Sequence, residues 1–324
     1  MAKEESLVAA YLLDGKGGGQ KIGWREIEAW QPEQGLIWIH LNFTGKKSRN
    51  WLLKRSQLHQ IVAQAMLTED TRPRSAATQQ GLFVSLRGVN LNPGQDPEDM
   101  VGLRIWLDKH RVITTRRRRL LSIDDLRQAI EMGNGPKTTG ELLVAIATRL
   151  TVRMSDALED LDEHIDDIEE MMLTGESHQL RPRIAETRRD AIAIRRYLSP
   201  QREALQHLHM DHNEWLDAGE RLAIREINDR VIRYVENLDT IRERAAICQE
   251  ELTNRLAEQM NKRMYLLSII AVIFLPLTFI TGLFGINVAG IPIADKPWAF
   301  NAICSLLMLL GLVTLVIFWR KKWL

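Results

Sequence analysis

A glycine, a β-branched residue and an amide, Gly285-Ile286-Asn287, close a run of 24 residues that begins at Met264 and holds no Asp, Glu, Lys or Arg. An amide at the end of so apolar a stretch needs polar partners, and polar groups beside hydrocarbon usually face a cavity or a subunit contact. Repeated around an axis by several copies of the chain, Asn287 would present a ring of carbonyl oxygens that accept hydrogen bonds from the water around a cation. Gly285 permits close backbone approach and a sharp helix end. As a bare tripeptide the three residues read first as a capped helix end and second as a filter. Three histidines, His207, His209 and His212, lie within six residues beside Asp211. His209 and His212 share a helical face at i, i+3 and would suit zinc if a carboxylate completed the set. Histidines on a solvated helix are the competing and commoner explanation, and His164 is a weaker candidate on the same logic. Between Met154 and Leu180 stand ten Asp or Glu and no Lys or Arg. Such a helix near a pore mouth raises the local cation concentration; alternatively, the arginines from Arg181 to Arg202 pair with it across a hairpin at little net energy.

Two apolar segments must position the tripeptide. Met264 to Ala294 is a 31-residue stretch without charge and Pro297 to Trp319 one of 23, separated by Asp295 and Lys296. Each exceeds the ~20 residues that cross a bilayer core. The whole chain is nearly neutral, 43 Lys+Arg against 42 Asp+Glu in 324 residues, so a basic nucleic-acid binder, a disordered chain and a wholly soluble enzyme are all disfavoured. Met1 to Glu5 has no basic start leading into an apolar stretch, so no secretory signal peptide is expected. Lys262 and Arg263 before the first span, and Arg320, Lys321 and Lys322 after the second, place both flanks and both termini in the cytoplasm by the positive-inside rule. Cys248 and Cys304 support neither a disulfide framework nor a zinc ribbon. Gly17-Gly18-Gly19 lacks the spacing of a phosphate loop, no nucleophile constellation stands out, and the Arg116 to Arg119 run reads as a solvated edge or subunit contact.

Upstream of the spans the pattern changes twice. Residues 1–135 read as α/β, with strands at Leu7 to Leu13, Leu36 to Leu41, Leu82 to Val89, Gly102 to Leu107 and Val112 to Thr115, and amphipathic stretches at Ile22 to Trp30 and Ser48 to Gln64. Residues 136–263 read as helices: one from Glu141 to about Leu173, one from Leu180 to Leu198 that kinks or restarts at Ser199-Pro200, and a long stalk. No Gly or Pro occurs between Glu220 and Pro276, a length of ~84 Å if helical throughout. Ile224, Ile227, Val231, Val235, Leu238, Ile241, Ala245, Cys248, Leu252, Leu256 and Met260 form a coiled-coil-like seam along it. The same register continues through Met264, Leu267, Ala271, Leu275, Thr278 and Gly282 in the first span, residues 264–287. Residues 288–297 are then an outer loop, 298–319 the second span and 320–324 a basic tail.

A C-terminal pair of spans, a short outer loop, Gly-x-Asn at the end of the first span, a basic tail and a preceding stalk helix together resemble the CorA superfamily of divalent-cation transporters. The Gly285-Ile286-Asn287 variant of its usual Gly-Met-Asn, and Glu69-Asp70-Thr71-Arg72-Pro73-Arg74 in the N-terminal domain, are similar to the ZntB-type zinc transporter branch. The resemblance implies a homopentamer in a bacterial inner membrane, with a funnel-shaped α/β cytoplasmic domain and the first span lining a central pore. It implies no enzyme activity, no cofactor and no nucleic-acid partner, with zinc as cargo, proton-coupled uptake, and room for a regulatory divalent cation. The loop Val288 to Asp295 lacks the acidic pattern of magnesium members, which disfavours a magnesium or cobalt channel as the alternative. Zinc efflux and a membrane-anchored sensor or scaffold are the remaining rivals.

Zinc prefers Cys, His and carboxylate ligands, and the proposed pore face offers only Met264, Leu267, Ala271, Leu275, Thr278, Gly282 and Asn287. A largely hydrated ion is therefore expected, bonding through its water to Asn287 and Thr278, with the rings of Leu267, Ala271 and Leu275 closing by dewetting. Asp295 is the one carboxylate near the outer mouth.

Overall fold

Strands buried on both faces read as near-continuous apolar runs, and the centre of this chain's sheet follows that rule while its edges abandon it. The computed structural model describes residues 6–69, 72–174, 180–210, 215–286 and 296–321. The elements are β1 (Leu7–Leu13), β2 (Gly19–Lys21), α1 (Trp24–Ala29), β3 (Leu36–Asn42), α2 (Lys46–Lys54), α3 (Gln60–Leu67), β4 (Arg74–Thr78), β5 (Gly81–Gly88), β6 (Val101–Leu107) and β7 (Arg111–Arg116). Five more helices follow: α4 (Leu121–Glu131), α5 (Thr139–Thr174), α6 (Leu180–Met210), α7 (Ala218–Phe284) and α8 (Ala299–Arg320). The chain divides into two units, residues 1–249 and 250–324.

In the first unit the seven strands form one sheet in the order β2-β1-β3-β7-β6-β5-β4. Every neighbouring pair is antiparallel except β3 and β7, which are parallel, with Ile37 opposite Arg111 and Asn42 opposite Arg116. Alternate residues of β3, Ile37, Ile39 and Leu41, pack with Trp51 and Leu52 of α2, Val62 and Met66 of α3, and Trp106 and Ile113. The opposite face is covered by α5 and α6, which touch β5, β7 and β4. At Gly88 α5 comes close, since a Cβ there would lie 2.6 Å from Leu150 Cδ2. Along α5 the buried residues Leu142, Ile146, Leu150, Met154, Leu161, Ile165 and Ile168 form one apolar stripe.

Three local expectations need correction. The stretch Ser48 to Gln64 is two helices, because Gln57 takes a positive φ of 58° and the His59 ring accepts from Ile61 N at 3.3 Å to start α3. The helix α6 continues through Pro200 to Met210. Leu198, Gln201, Ala204 and Leu205 are buried there, Gln201 Oε1 accepts from Arg87 N at 2.7 Å and Ser75 donates to the Ala204 carbonyl at 3.1 Å, so packing against the sheet outweighs the helix bond a proline removes. The first span, expected to reach residue 287 as one helix with the stalk, is continuous through Pro276 and Gly282 as expected but its helix ends at Phe284.

The second unit holds the end of α7 and all of α8. Both helices are long and apolar enough to cross a membrane. Among the described residues of the two predicted spans only Ile269, Ala299 and Phe318 are buried.

Candidate functional site

The predicted seam changes character along α7. From Ile224 to Leu252 each of its residues is buried within the single chain, whereas Leu256, Met260 and Met264 are 41 %, 63 % and 60 % exposed. The spacing changes at the same place: it averages below 3.6 residues per step up to Leu252 and above it from there to Gly282, so the stripe winds first one way and then the other about a straight helix. Leu267 and Leu275 are largely exposed, as are Ala271, Thr278 and Gly282. A contiguous apolar surface of this extent marks an interaction face, for lipid or for further copies of the chain.

Chemistry on this face is sparse. Met264 to Phe284 and Ala299 to Trp319 carry no Asp, Glu, Lys, Arg or His. At Gly282 an added Cβ would meet open space, so a neighbouring helix can approach the backbone closely. Gly285 N donates to the carbonyls of Thr281 (2.9 Å) and Gly282 (3.1 Å), ending the helix, and a Cβ there would lie 3.0 Å from the Thr281 oxygen. Ile286 is half exposed. Asn287, which completes the tripeptide, and Asp295 of the outer loop lie outside the described residues.

The acidic stretch is partly engaged, chiefly by a residue that neighbouring sequence does not reveal. Arg244 of α7 holds Glu169 through two bonds of 2.8 and 2.7 Å and Asp166 at 2.5 Å, while Asn237 donates to Asp162 at 2.6 Å. The hydrogen-bonded guanidinium holds the Glu169 carboxyl below its ordinary range. From α6 comes Arg183, 3.2 Å from Asp167; Arg195 instead reaches Asp239 of α7 at 3.0 Å. Asp156, Glu159, Asp160, Glu163 and Glu170 face solvent.

Among the described residues no group of three or more His, Cys, Asp or Glu is arranged to hold a metal ion. His164 and His207 are exposed. His209 Nδ1 lies 3.2 Å from the Arg221 carbonyl; since a carbonyl only accepts, this nitrogen carries the proton and ties α6 to α7. Asp211 and His212 lie outside the described residues. One acid that patterning did not single out is Asp190 on α6, whose carboxyl is pushed up to about 6 by burial and by Glu98 and Glu186.

Of the arginine run, Arg117 and Arg119 are exposed as a solvated edge would be, and Arg116 departs from that expectation. Arg116 ends β7 and is buried; its Nε donates to His40 Nε2 at 3.0 Å. The His40 proton is then on Nδ1, 2.7 Å from Thr114 Oγ1, which also accepts from Trp38 Nε1 at 3.0 Å. Complete burial and the Arg116 charge hold His40 well below the usual histidine range. Arg117 pairs with Glu69, Arg118 with Asp99, and Arg119 with Asp124 at 2.7 Å.

Residues 33–322 match the family model described as CorA-like Mg2+ transporter protein. The chain is 39 % identical to the divalent cation transporter CmaX of Pseudomonas aeruginosa PAO1, over 99 % of this chain and 98 % of that protein. It is 38 % identical to the zinc transport protein ZntB of Pectobacterium atrosepticum SCRI 1043, over 98 % and 96 %. The solved structure of full-length CmaX superposes with a TM-score of 0.85 at 36 % identity, covering 100 % of both chains.

Proposed function

The chain belongs to the CorA-like Mg2+ transporter protein family, and from that premise we propose that it carries zinc into the cytoplasm through a pore formed by several copies of the chain, five by family resemblance. The observation that carries this reading is the exposed, uncharged face of α7 from Met264 to Gly282, which leads to Gly285-Ile286-Asn287. A helix surface so apolar has two uses, lipid contact and contact with copies of itself, and only the second gives an amide at its outer end a purpose. Basic residues flank both spans, Lys262 and Arg263 on one side and Arg320 to Lys322 on the other, which favours cytoplasmic termini in a bacterial inner membrane.

The mechanism follows from what the face lacks. With no thiolate, imidazole or carboxylate along it, zinc keeps most of its water, and Asn287 and Thr278 bond to that shell. Leu267, Ala271 and Leu275 form the constriction that closes when it dries. Zinc is favoured over magnesium by the relatives named as zinc transporters and by a Val288 to Asp295 loop with a single carboxylate. The spans contain no Asp, Glu, Lys, Arg or His, so coupling to protons runs through groups outside them, Asp295 being the nearest. Purified protein in liposomes tests this reading. Zinc entry that rises with an inward proton gradient and resists magnesium is expected. Gradient-independent flux blocked by magnesium would replace it with a magnesium-type channel.

A further inference from the structure

The arginine run and the end of β3 meet in a part of the fold that ion passage does not use. β3 and β7 are the one parallel pair in the sheet, and the chain leaves them toward opposite faces. From β3 it enters α2, which packs with Trp51 and Leu52 on one side of the sheet. From β7 it enters α4, which packs on α5 at the other. Such a divergence opens a crevice at the carboxyl ends of the strands, the place where open α/β sheets bind ligands. Here the crevice is a cavity of about 1510 Å³ within the first unit, larger than the ~300–1,000 Å³ of ordinary ligand sites.

Its lining is basic. Among the described residues, seven Lys or Arg side chains border it, against two carboxylates, Glu69 and Asp99, and each of these two already has an arginine, Arg117 and Arg118. Two guanidiniums belong to the wall itself, Arg104 at 1 % and Arg87 at 6 % exposure. Arg87 donates to the Met100 carbonyl at 2.9 Å and stacks 3.9 Å over the Tyr197 ring. Arg104 donates to the carbonyls of Gly102, at 3.0 Å, and Glu69, with its charge over Phe43. Charges held this firmly are pre-organised for a planar or tetrahedral oxyanion.

A second observation comes from α2. Its first turn opens the cavity with Lys46 and Lys47, carries no acidic residue, and its N-cap is Gly45, which has no side chain to cap the helix. A helix N-terminus favours anions and disfavours cations. Two lysines there work against helix stability and serve instead to add charge to amides already disposed toward an anion. The backbone opposite brings Arg117 to Arg119 from the end of β7, each paired with a carboxylate, Glu69, Asp99 and Asp124 in turn.

From the size, the charge and the α2 terminus together, we propose that this crevice binds a small polyphosphate-bearing anion, a nucleoside triphosphate or an inorganic polyphosphate. Such binding belongs to the cytoplasmic unit and does not depend on which ion crosses the membrane.

The test is calorimetric titration of the full-length protein in detergent, in metal-free buffer, with tripolyphosphate and separately with ATP. Saturable binding that weakens steeply with salt is expected, because charge neutralisation dominates it. Tighter binding of ATP assigns the nucleotide, and equal or tighter binding of tripolyphosphate assigns the polyphosphate. The double substitution Lys46→Gln with Lys47→Gln should weaken binding by roughly tenfold for each charge-assisted hydrogen bond removed. Both lysines are exposed; Lys47→Gln gives up the ammonium contact over the Trp24 ring at 4.8 Å, which the removal of two cations from a helix N-terminus offsets, so the ligand-free Tm should change little. Absence of saturable binding of either probe to the unaltered protein overturns the proposal. So does binding that the double variant retains in full.

Discussion

Ile241 and Met260 occupy the same seam of one helix, yet the first is fully buried in the chain and the second 63 % exposed. Replacing each by alanine should therefore have effects of different kinds. Ile241→Ala removes three buried carbons, about 2.4 kcal/mol at ~0.8 kcal/mol per methylene. With the cavity left behind, the total cost is about 3 kcal/mol. In a unit of this size 1 kcal/mol moves Tm by roughly 2–4 °C, so the variant should melt about 6–12 °C lower. Met260→Ala removes a side chain that this chain alone leaves in solvent, and its effect on the same transition should fall within about 0.5 kcal/mol. What it should disturb is assembly, because Met260 lies where the seam is free to meet other copies. Near-UV circular dichroism of the purified protein in detergent reads the first effect, and light scattering during size exclusion reads the second. Equal Tm losses in the two variants, or no loss in Ile241→Ala, would refute the division of the seam at Leu252.

Two pH effects follow from groups in the first unit. His40 stays neutral in the fold while it takes a proton near pH 6.5 once unfolded. The unfolded state then binds more protons below that value, so stability is full above pH 6.5 and falls on acidification, by up to about 1.4 kcal/mol per pH unit; thermal melts from pH 7.5 to 5 should show this slope, and His40→Gln should flatten it. Asp190 has the opposite linkage. Its carboxyl is raised to about 6, so the fold holds the extra proton and stability falls as pH rises from about 3.9 to 6. Asp190→Asn should therefore stabilise above pH 6, by roughly 1 kcal/mol once solvent screening of a half-buried group is allowed for, and should have little effect near pH 4. A gain in Tm at pH 4 as large as that at pH 7.5 would contradict the assignment.

Sequence patterning was most informative where burial is two-sided. β1 and the cores of β3, β5, β6 and β7 were visible as apolar runs. The edge strands were not: β2 is three residues beginning with glycine, and β4, Arg-Ser-Ala-Ala-Thr, is largely exposed with no alternation to mark it. A helix through Pro200 contradicts local propensity and exists because both sides of the proline are packed. The acidic run suggested pairing with the next helix, but its main partner, Arg244, is 75 residues from Glu169 and only the three-helix packing brings it near. The cavity was illegible for the same reason, since its cations come from α2, β5, β6 and the end of β7, and only Arg116 to Arg119 form a run. Conversely, the exposed face of α7 was legible because helical period survives in a lone chain, as was the polar break at Gly285. Of the histidine candidates, His164 on α5 and His207 on α6 face solvent and His209 bonds to the Arg221 carbonyl, while Asp211 and His212, its expected partners, lie outside the described residues.

The central claim is that ions pass along the α7 face that ends at Asn287. Zinc flux into liposomes, measured for the unaltered protein and for Asn287→Ala at matched oligomeric state, tests it most directly. The variant should assemble normally and lose zinc flux. Undiminished flux through an intact Asn287→Ala oligomer would contradict it.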